Sequence, residues 1–351
     1  MLFARQEDCM KMNCLRASLV AFALTAAPMS VAGIASAETI RVSYVTAADH
    51  PYGLGVKKFG EIVEAKTGGR IRVRGFPSGQ IGAEVPSISA AQGGILEVVV
   101  TSTAAVSGVD KAFGVFDLPY IFESDRQADA ILDGPLGTAM LHRLDGKGLT
   151  GLCFWEAGFH QVTNSRRPIK SLDDLRGLKI RTIQNPVMID AVNALGANAV
   201  PLPYTEVYTG LETKAIDGQT GTYPLVYANK IFEVQKYIAE ANLFYAPVAV
   251  LMSKKFYDSL SPADQAIMRD ACTEARTTER EANRALSPEA LKQMKAAGLE
   301  STVLDAATIA AFKEKLRPVV DKHMKGIDPE VVATLQAELA KLGPSGSASG
   351  K

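Results

Sequence analysis

The run SLDDLRGLKIRT, residues 171–182, joins a capped turn to a strand that ends on an arginine. Ser171 and Asp174 have the spacing of a capping box, and Gly177 is placed to end the turn in the left-handed conformation. The alternation that follows predicts a strand with Arg181 near its outgoing end. In an open α/β sheet, ligands bind at that end of the strands.

A guanidinium at the end of a strand is a candidate anion site. Its planar fork of donors matches a carboxylate, and its permanent charge is costly to bury without an anion. The alternative is a structural arginine paired with a surface acid, and position alone favours that alternative. The role of Arg181 therefore depends on what the rest of the chain indicates.

The composition is that of an ordinary globular protein. With 351 residues, of which 47% are hydrophobic, the chain can bury the core of one very large or two ordinary α/β domains. Its 38 basic residues are balanced by 38 acidic residues, which argues against a nucleic-acid-binding surface. Gly75, Gly79 and Gly82 match neither a dinucleotide fingerprint nor a phosphate loop, so no cofactor is predicted.

Residues 1–37 have the pattern of a secretory signal peptide. An alanine-rich apolar run at about 17–34 is followed by ASA, a small-x-small cleavage pattern that ends at Ala37. A membrane anchor is the weaker alternative, because Pro28 and Gly33 interrupt the run. We therefore expect cleavage after about Ala37 and export to the periplasm.

The cysteines and histidines offer no catalytic or metal-binding pattern. Cys9 and Cys14 lie in the segment predicted to be removed, which leaves Cys153 and Cys272. Export makes a disulfide between these two chemically possible, but their separation gives no geometric hint, and two buried thiols are the favoured interpretation. The four histidines have no ligand spacing to one another or to cysteine, so no metal site is predicted.

Predicted strands and helices alternate with short connections, which indicates parallel sheets in two similar α/β halves. A single helix is predicted from about 124 to 144. A long helical pattern starts at Ser261 and Asp264, which flank a proline at the first helical positions. It runs to about residue 297 and is interrupted at 287–288 by a serine and a proline.

Nine short motifs then identify a family. They are HPYG at 50–53, TGGRIRV at 67–73, SGQIGAE at 78–84, FDLPYIF at 116–122, TNSRRPI at 163–169, DLRGLKIRT at 174–182, PYTEVYTGLET at 203–213, DGQ at 217–219 and FEVQKY at 232–237. Through these motifs, residues from about 39 to 325 resemble the solute-binding proteins of tripartite ATP-independent periplasmic (TRAP) transporters, the DctP-like family.

The resemblance implies an α/β clamshell of two domains joined by hinge strands, with a long helix spanning both. The expected first domain is 38–158 plus about 246–287, and the second is 159–245 plus about 288–342, followed by a flexible tail at 343–351. The implied function is capture of a small organic acid and its delivery to a membrane permease. A monomer without cofactor or enzymatic activity is expected.

The resemblance also implies a site. In that family the arginine that ends KIRT-like motifs forms a salt bridge to the ligand carboxylate, which assigns this role to Arg181. Tyr204 stands where an aromatic ring packs on the ligand, and Trp155 is either a wall of the cleft or a core aromatic. The predicted ligand-binding set is Arg181, His160, Tyr204, Gln184, Asn185, Ser102, Trp155, Glu84, Thr220 and Thr222.

Two positions depart from the family pattern. Many members carry a second arginine where this chain has His160, and asparagine where it has Gly221. Histidine offers a smaller, pH-dependent contact, so the specificity of the distal pocket is expected to differ; the alternative is a histidine satisfied by backbone in the hinge.

Two other functions stay open. A ligand-sensing partner of a membrane receptor would need the same clamshell. A secreted enzyme is disfavoured because Cys153 lies in an apolar strand without an activating neighbour, and Glu156, Glu206 and Asp217 have simpler roles as caps and salt-bridge partners. Mono- and dicarboxylates, sugar acids, aromatic acids, keto acids and sulfonates all remain candidate ligands.

Overall fold

Two β-sheets form the centre of the fold. The computed structural model describes residues 38–343. The strands are β1 Glu38–Ser43, β2 Ile71–Phe76, β3 Val98–Ser102, β4 Leu149–Phe159, β5 Gln161–Asn164, β6 Lys179–Thr182, β7 Asn198–Pro201, β8 Gly218–Gly221, β9 Tyr237–Glu240, β10 Tyr245–Ser253 and β11 Glu300–Val303. The first sheet has the order β2-β1-β3-β10-β4, and the second has the order β11-β9-β5-β8-β6-β7.

Helices cover the faces of both sheets. They are α1 Pro51–Lys66, α2 Glu84–Gln92, α3 Thr103–Val106, α4 Asp125–Leu132, α5 Pro135–His142, α6 Pro186–Ala194, α7 Val207–Glu212, α8 Tyr223–Ala228, α9 Lys254–Ser259, α10 Pro262–Ala296, α11 Ala306–Lys325 and α12 Pro329–Leu342. Because the first sheet is covered on both faces, β3 and β10 are buried along almost their whole length.

Both sheets are mixed. In the first, β1 pairs in parallel with β2 and β3, whereas β10 runs antiparallel to β3 and β4. In the second, β6 pairs in parallel with β7 and β8, and β5 runs antiparallel to β8 and β9. The parallel strands therefore point their outgoing ends to one edge of each sheet, as strand–helix–strand units require.

The capped turn before β6 forms as the sequence predicts. The Ser171 side chain accepts from the backbone at Asp174, and the Asp174 carboxylate accepts from the backbone N–H of Ser171 at 2.9 Å. Gly177 then adopts a φ of +74°, a left-handed conformation that favours glycine. This turn sets the direction in which β6 begins. Because side chains alternate along a strand, Ile180 and Arg181 then lie on opposite faces of β6.

The chain crosses between the two sheets where β4 is followed, after one residue, by β5. The backbone N–H of His160 donates to the carbonyl of Phe244 at 2.8 Å, and the N–H of Leu243 donates to the carbonyl of His160 at 2.9 Å. Backbone pairing therefore fixes His160 at the place where the two sheets meet.

The long helix α10 is continuous over 35 residues, so the predicted interruption at 287–288 is wrong. Pro288 removes one helical hydrogen bond, a cost of about 3 kcal/mol in a helix interior. Burial on both sides of it offsets this cost: Ala275 packs against the first sheet, and Ala290 and Met294 pack in the core of the second. The Ser287 hydroxyl also donates to the Asn283 carbonyl at 3.0 Å.

The interpretation of Cys153 and Cys272 as two free thiols is also wrong. The two residues form a disulfide, with their Cα atoms 5.9 Å apart across 119 residues of sequence. The pairing arises because α10 lies across β4, a contact between distant segments that spacing alone does not indicate. The bond ties the long helix to the first sheet.

The helix predicted over 124–144 is two helices, α4 and α5. Asp133 and Gly134 separate them, and Pro135 begins α5, where the missing N–H of proline costs nothing. In residues 38–343 no helix is both long and apolar enough to cross a membrane. The predicted signal peptide at 1–37 and residues 344–351 of the predicted tail lie outside the described residues.

Candidate ligand-binding site

A small cavity lies between the two sheets, beside the outgoing ends of β3 and β6 and the crossing at His160. Its volume is about 30 Å³, which holds about one water molecule. The described conformation therefore has no room for a larger ligand, which needs the walls to separate. The lining residues are Val45, Thr46, Tyr52, Glu84, Ser102, Ala157, His160, Arg181, Ile183, Tyr204, Thr220, Leu225 and Ala246.

Arg181 is the basic residue of this cavity, and only 2% of its surface is exposed. Its Nε and Nη2 atoms donate to the carbonyl of Leu202 at 2.9 and 2.7 Å. No carboxylate of residues 38–343 lies within 4.0 Å of its guanidinium nitrogens, and burial lowers the Arg181 pKa. A buried cation without an ion-pair partner is costly, so this geometry favours an incoming anion.

Tyr204 holds the guanidinium from one side. The Arg181 Cζ atom lies 5.5 Å from the centre of the Tyr204 ring, a cation–π distance. The Tyr204 hydroxyl donates to the carbonyl of Leu225 at 3.1 Å, which fixes the ring. The ring and the Leu202 carbonyl together orient the fork of Arg181 before any ligand arrives.

His160 is a neutral neighbour of Arg181. Burial, and next the charge of Arg181, lower the pKa of His160 to about 3. Its ring packs edge-on against Phe244 with the ring centres 6.2 Å apart, and Nδ1 has no hydrogen-bond partner in the described part of the chain. At neutral pH the imidazole can therefore donate or accept a hydrogen bond but adds no positive charge.

Glu84 brings the opposite charge to the cavity. It is the first residue of α2, and its Oε1 atom accepts from the Ser102 hydroxyl at 3.1 Å and from the Thr101 hydroxyl at 3.4 Å. Its attraction to the guanidinium raises the pKa of Arg181, opposing the effect of burial, although the two groups do not form an ion pair. The Oε2 atom has no protein hydrogen bond among residues 38–343.

Two threonine hydroxyls complete the polar lining. Thr46 and Thr220 are almost completely buried, and neither Oγ1 atom has a partner within the described residues. Buried polar atoms are normally hydrogen-bonded, so unpartnered ones at a cavity wall point to a ligand or water that would bond to them. Tyr52, from the HPYG motif, adds a buried aromatic wall.

The structure brings six of the predicted residues together at this cavity: Arg181, His160, Tyr204, Ser102, Glu84 and Thr220. Gln184 is exposed on the surface instead. Thr222 does not line the cavity; its hydroxyl caps the start of α8 by accepting from the backbone N–H of Leu225.

The two other predicted residues also lie elsewhere. Asn185 caps α6 and donates hydrogen bonds to the segment after β3, so its side-chain amide already has protein partners. Trp155 packs between α1 and α10 and donates to the Cys272 carbonyl at 3.4 Å, which makes it a core aromatic. Ala157, two residues further along the same face of β4, reaches the cavity in its place.

Sequence reasoning missed Thr46, Tyr52 and the apolar residues of the wall. Tyr52 lies inside the quoted motif HPYG, which was a usable signal. Gly221, a departure from the family pattern, does not line the cavity; a Cβ atom there would lie 3.1 Å from the side-chain amide nitrogen of Gln219. Position 221 therefore faces the side chain of Gln219 rather than an open pocket.

Comparison with known proteins gives this geometry a family context. The family model described as "Bacterial extracellular solute-binding protein, family 7" matches residues 42–326. The 2,3-diketo-L-gulonate-binding periplasmic protein YiaO of Escherichia coli (strain K12) is 34% identical over 293 residues, 83% of this chain and 89% of that protein. The C4-dicarboxylate-binding periplasmic protein DctP of Rhodobacter capsulatus is 34% identical over 320 residues, 89% and 94% of the two chains.

A solved structure supports the same grouping. The sugar acid binding protein DctPAm from Advenella mimigardefordensis strain DPN7T, in complex with galactonate, matches with a TM-score of 0.85 and 36% identity. The match covers 88% of this chain and 99% of the other. The predicted α/β clamshell class is thereby confirmed.

Proposed function

The chain belongs to the DctP-like solute-binding proteins of TRAP transporters, and on that premise we propose that it captures a small organic acid between its two sheets. The ligand carboxylate forms a salt bridge with Arg181 and displaces any water from the cavity. The acid is then delivered to a membrane permease. The relatives named above bind a sugar acid, a diketogulonate and C4-dicarboxylates, all of them small organic acids.

The observation that carries this proposal is the state of Arg181. Its guanidinium is buried and oriented by Leu202 and Tyr204, yet no carboxylate of the described chain pairs with it. In a closed, water-poor cavity a hydrogen-bonded charge pair is strong because little water competes for either partner. A ligand carboxylate supplies the missing anion.

Binding requires the cavity to open. At about 30 Å³ it does not admit a multi-carbon acid, since ligand pockets usually have volumes of about 300–1,000 Å³. We assign the opening movement to the two predicted domains, 38–158 plus about 246–287 and 159–245 plus about 288–342, rotating at the crossing near His160. Closure around the acid then aligns Arg181 with the carboxylate.

The proposed setting is the periplasm, with the signal peptide removed after about Ala37 and a monomer presenting its ligand to the permease. The ligand leaves chemically unchanged. One local observation supports a binding rather than an enzymatic role: Cys153, the cysteine weighed in the enzyme alternative, is held in a disulfide and offers no thiolate.

A thermal-shift screen of the mature chain against an organic-acid library tests the proposal. An acid at about one hundred times its dissociation constant should stabilise the fold by about 2.7 kcal/mol. Recovery of that acid unaltered after incubation is the expected result. Failure of every acid to raise the melting temperature, or conversion of the acid to a product, would overturn the proposal.

A further inference from the structure

We propose that the cavity selects hydroxylated acids with a single carboxylate and discriminates against dicarboxylates. This inference rests on the proposed function, because it concerns the ligand of the same cavity. It adds a class of substrate that the family does not specify, since relatives bind both a sugar acid and C4-dicarboxylates. Three observations carry it.

The first observation is the charge of the lining. Of its residues, Arg181 is basic and Glu84 is acidic, and the others are apolar or carry neutral polar groups. One ligand carboxylate pairs with Arg181. A second carboxylate on the same ligand would find no cation in the lining and would share the cavity with the carboxylate of Glu84. Like charges brought close together repel, which is an effective way to reject a competing ligand.

The second observation concerns His160, which could supply a second cation only if it were protonated. Its ring is buried, packs edge-on against Phe244 and lies in the field of Arg181, and both burial and that charge oppose a positive charge on the imidazole. Its unpartnered Nδ1 therefore serves as a neutral hydrogen-bonding atom. A neutral imidazole suits a ligand hydroxyl as donor or acceptor.

The third observation is the set of polar atoms that lack partners. The Thr46 and Thr220 hydroxyls are unpartnered and buried, and Glu84 adds a carboxylate whose Oε1 atom accepts from Ser102 and Thr101. A ligand hydroxyl can donate to Glu84 and exchange hydrogen bonds with either threonine. A site built to bond hydroxyls rejects analogues that lack them, because its polar groups are then left unpaired.

Matched ligand pairs isolate the effect of the second carboxylate. D-Galactonate and galactarate share an open carbon chain with the same four internal hydroxyls, and they differ only in a terminal alcohol or carboxylate. Erythronate and meso-tartrate form a shorter matched pair, and 4-hydroxybutyrate and succinate form a pair without internal hydroxyls. We expect calorimetry to show the monoacid of the best-bound pair binding at least about tenfold more tightly than its diacid, which is 1.4 kcal/mol or more. The hydroxylated monoacids should bind more tightly than 4-hydroxybutyrate.

Glu84→Gln tests the origin of this preference. The amide oxygen preserves the bonds from Ser102 and Thr101 while the negative charge is lost. The ratio of diacid to monoacid dissociation constants should shrink several-fold in this variant. Glu212→Gln, at an exposed position of α7 outside the cavity, should leave the ratio as in the parent chain.

The outcomes separate the two proposals. Tighter or equal binding of the diacids, or of succinate over the hydroxylated acids, would overturn this inference while capture of an acid through Arg181 still stands. An unchanged ratio in Glu84→Gln would also count against it. Absence of binding by any acid would overturn the proposed function, and this inference with it.

Discussion

The side-chain amide of Asn185 donates a 2.8 Å hydrogen bond to the buried carboxyl of Asp117. Asn185 caps α6 on the second sheet, whereas Asp117 lies in the segment after α3 that packs on the first. The same amide also reaches the Ser107 hydroxyl at 3.0 Å and the Ala104 carbonyl at 3.2 Å. One asparagine therefore joins the two halves of the molecule close to the cavity.

This contact predicts a pH-dependent stability. Burial raises the pKa of Asp117 from 3.8 to about 7, although the bonds from Asn185 and Thr103 oppose the increase. A carboxyl with a raised folded-state pKa stabilises the fold fully below its unfolded pKa, and this contribution is lost as pH rises from about 4 to about 7. Over that window the free energy of unfolding should fall by up to about 4 kcal/mol relative to Asp117→Asn.

Urea unfolding of both chains across this pH window measures the difference. Asp173→Asn, at an exposed site, is the matched control and should follow the parent chain. Parallel profiles for Asp117→Asn and the parent would mean that Asp117 titrates normally in the folded state.

The disulfide predicts a large loss of stability when it is removed. It closes a loop of 119 residues, and in the chain-entropy account such a loop restricts the unfolded state by about 4–5 kcal/mol. The double variant Cys153→Ser, Cys272→Ser should lose about 2–5 kcal/mol in the free energy of unfolding. Reduction of the parent chain should give a similar loss, and equal stability of oxidised and reduced protein would contradict the bond.

The contact between Tyr204 and Arg181 predicts that the ring matters more than its hydroxyl for ligand affinity. Tyr204→Phe keeps the ring under the guanidinium and loses the bond to the Leu225 carbonyl. Tyr204→Ala removes the ring and a cation–π interaction of about 0.5–2 kcal/mol. The alanine variant should therefore bind an acid about two- to thirtyfold more weakly, and the phenylalanine variant should lose much less affinity. Equal losses in calorimetry would assign the effect to the hydroxyl.

The neutral state of His160 predicts how affinity responds to pH. Because its pKa is lowered to about 3, the imidazole stays uncharged from about pH 5.5 to about pH 8. His160→Gln should change the dissociation constant by the same factor at each pH, so that its affinity profile runs parallel to that of the parent. An affinity that rises on acidification in the parent, but not in the variant, would show instead that a protonated imidazole pairs with the ligand.

Local sequence was enough to predict the secondary-structure elements that position the site. Ser171, Asp174 and Gly177 set the turn before β6 through contacts within a few residues, and the cap at Ser261 starts α10 in the same way. These caps depend on hydrogen bonds to backbone within a few residues, so they form whichever distant segments pack around them. Naming Arg181 as a ligand residue needed the family motifs as well, because position alone favoured a structural role.

Contacts between distant segments could not be read from the sequence. The disulfide exists because α10 crosses β4. Helix α10 stays continuous at Pro288 because burial against both sheets outweighs the loss of one helical hydrogen bond. The direction in which a side chain near the cavity points was equally unpredictable. Gln184 and Asn185 lie three and four residues after Arg181, yet Gln184 faces solvent and Asn185 bridges the two halves. Thr46 was missed because a threonine after a strand carries no distinguishing signal.

Calorimetric titration of the parent chain, Arg181→Ala and Arg176→Ala with the acid found by screening tests the central claim most directly. Arg176 is a matched control, since it lies in the same motif with 80% of its side chain exposed. Removing one partner of a buried charge pair costs about 2–5 kcal/mol, so Arg181→Ala should bind roughly thirty- to several-thousandfold more weakly, with Arg176→Ala unchanged. Equal affinity in the parent and Arg181→Ala would contradict the claim that Arg181 holds the ligand carboxylate.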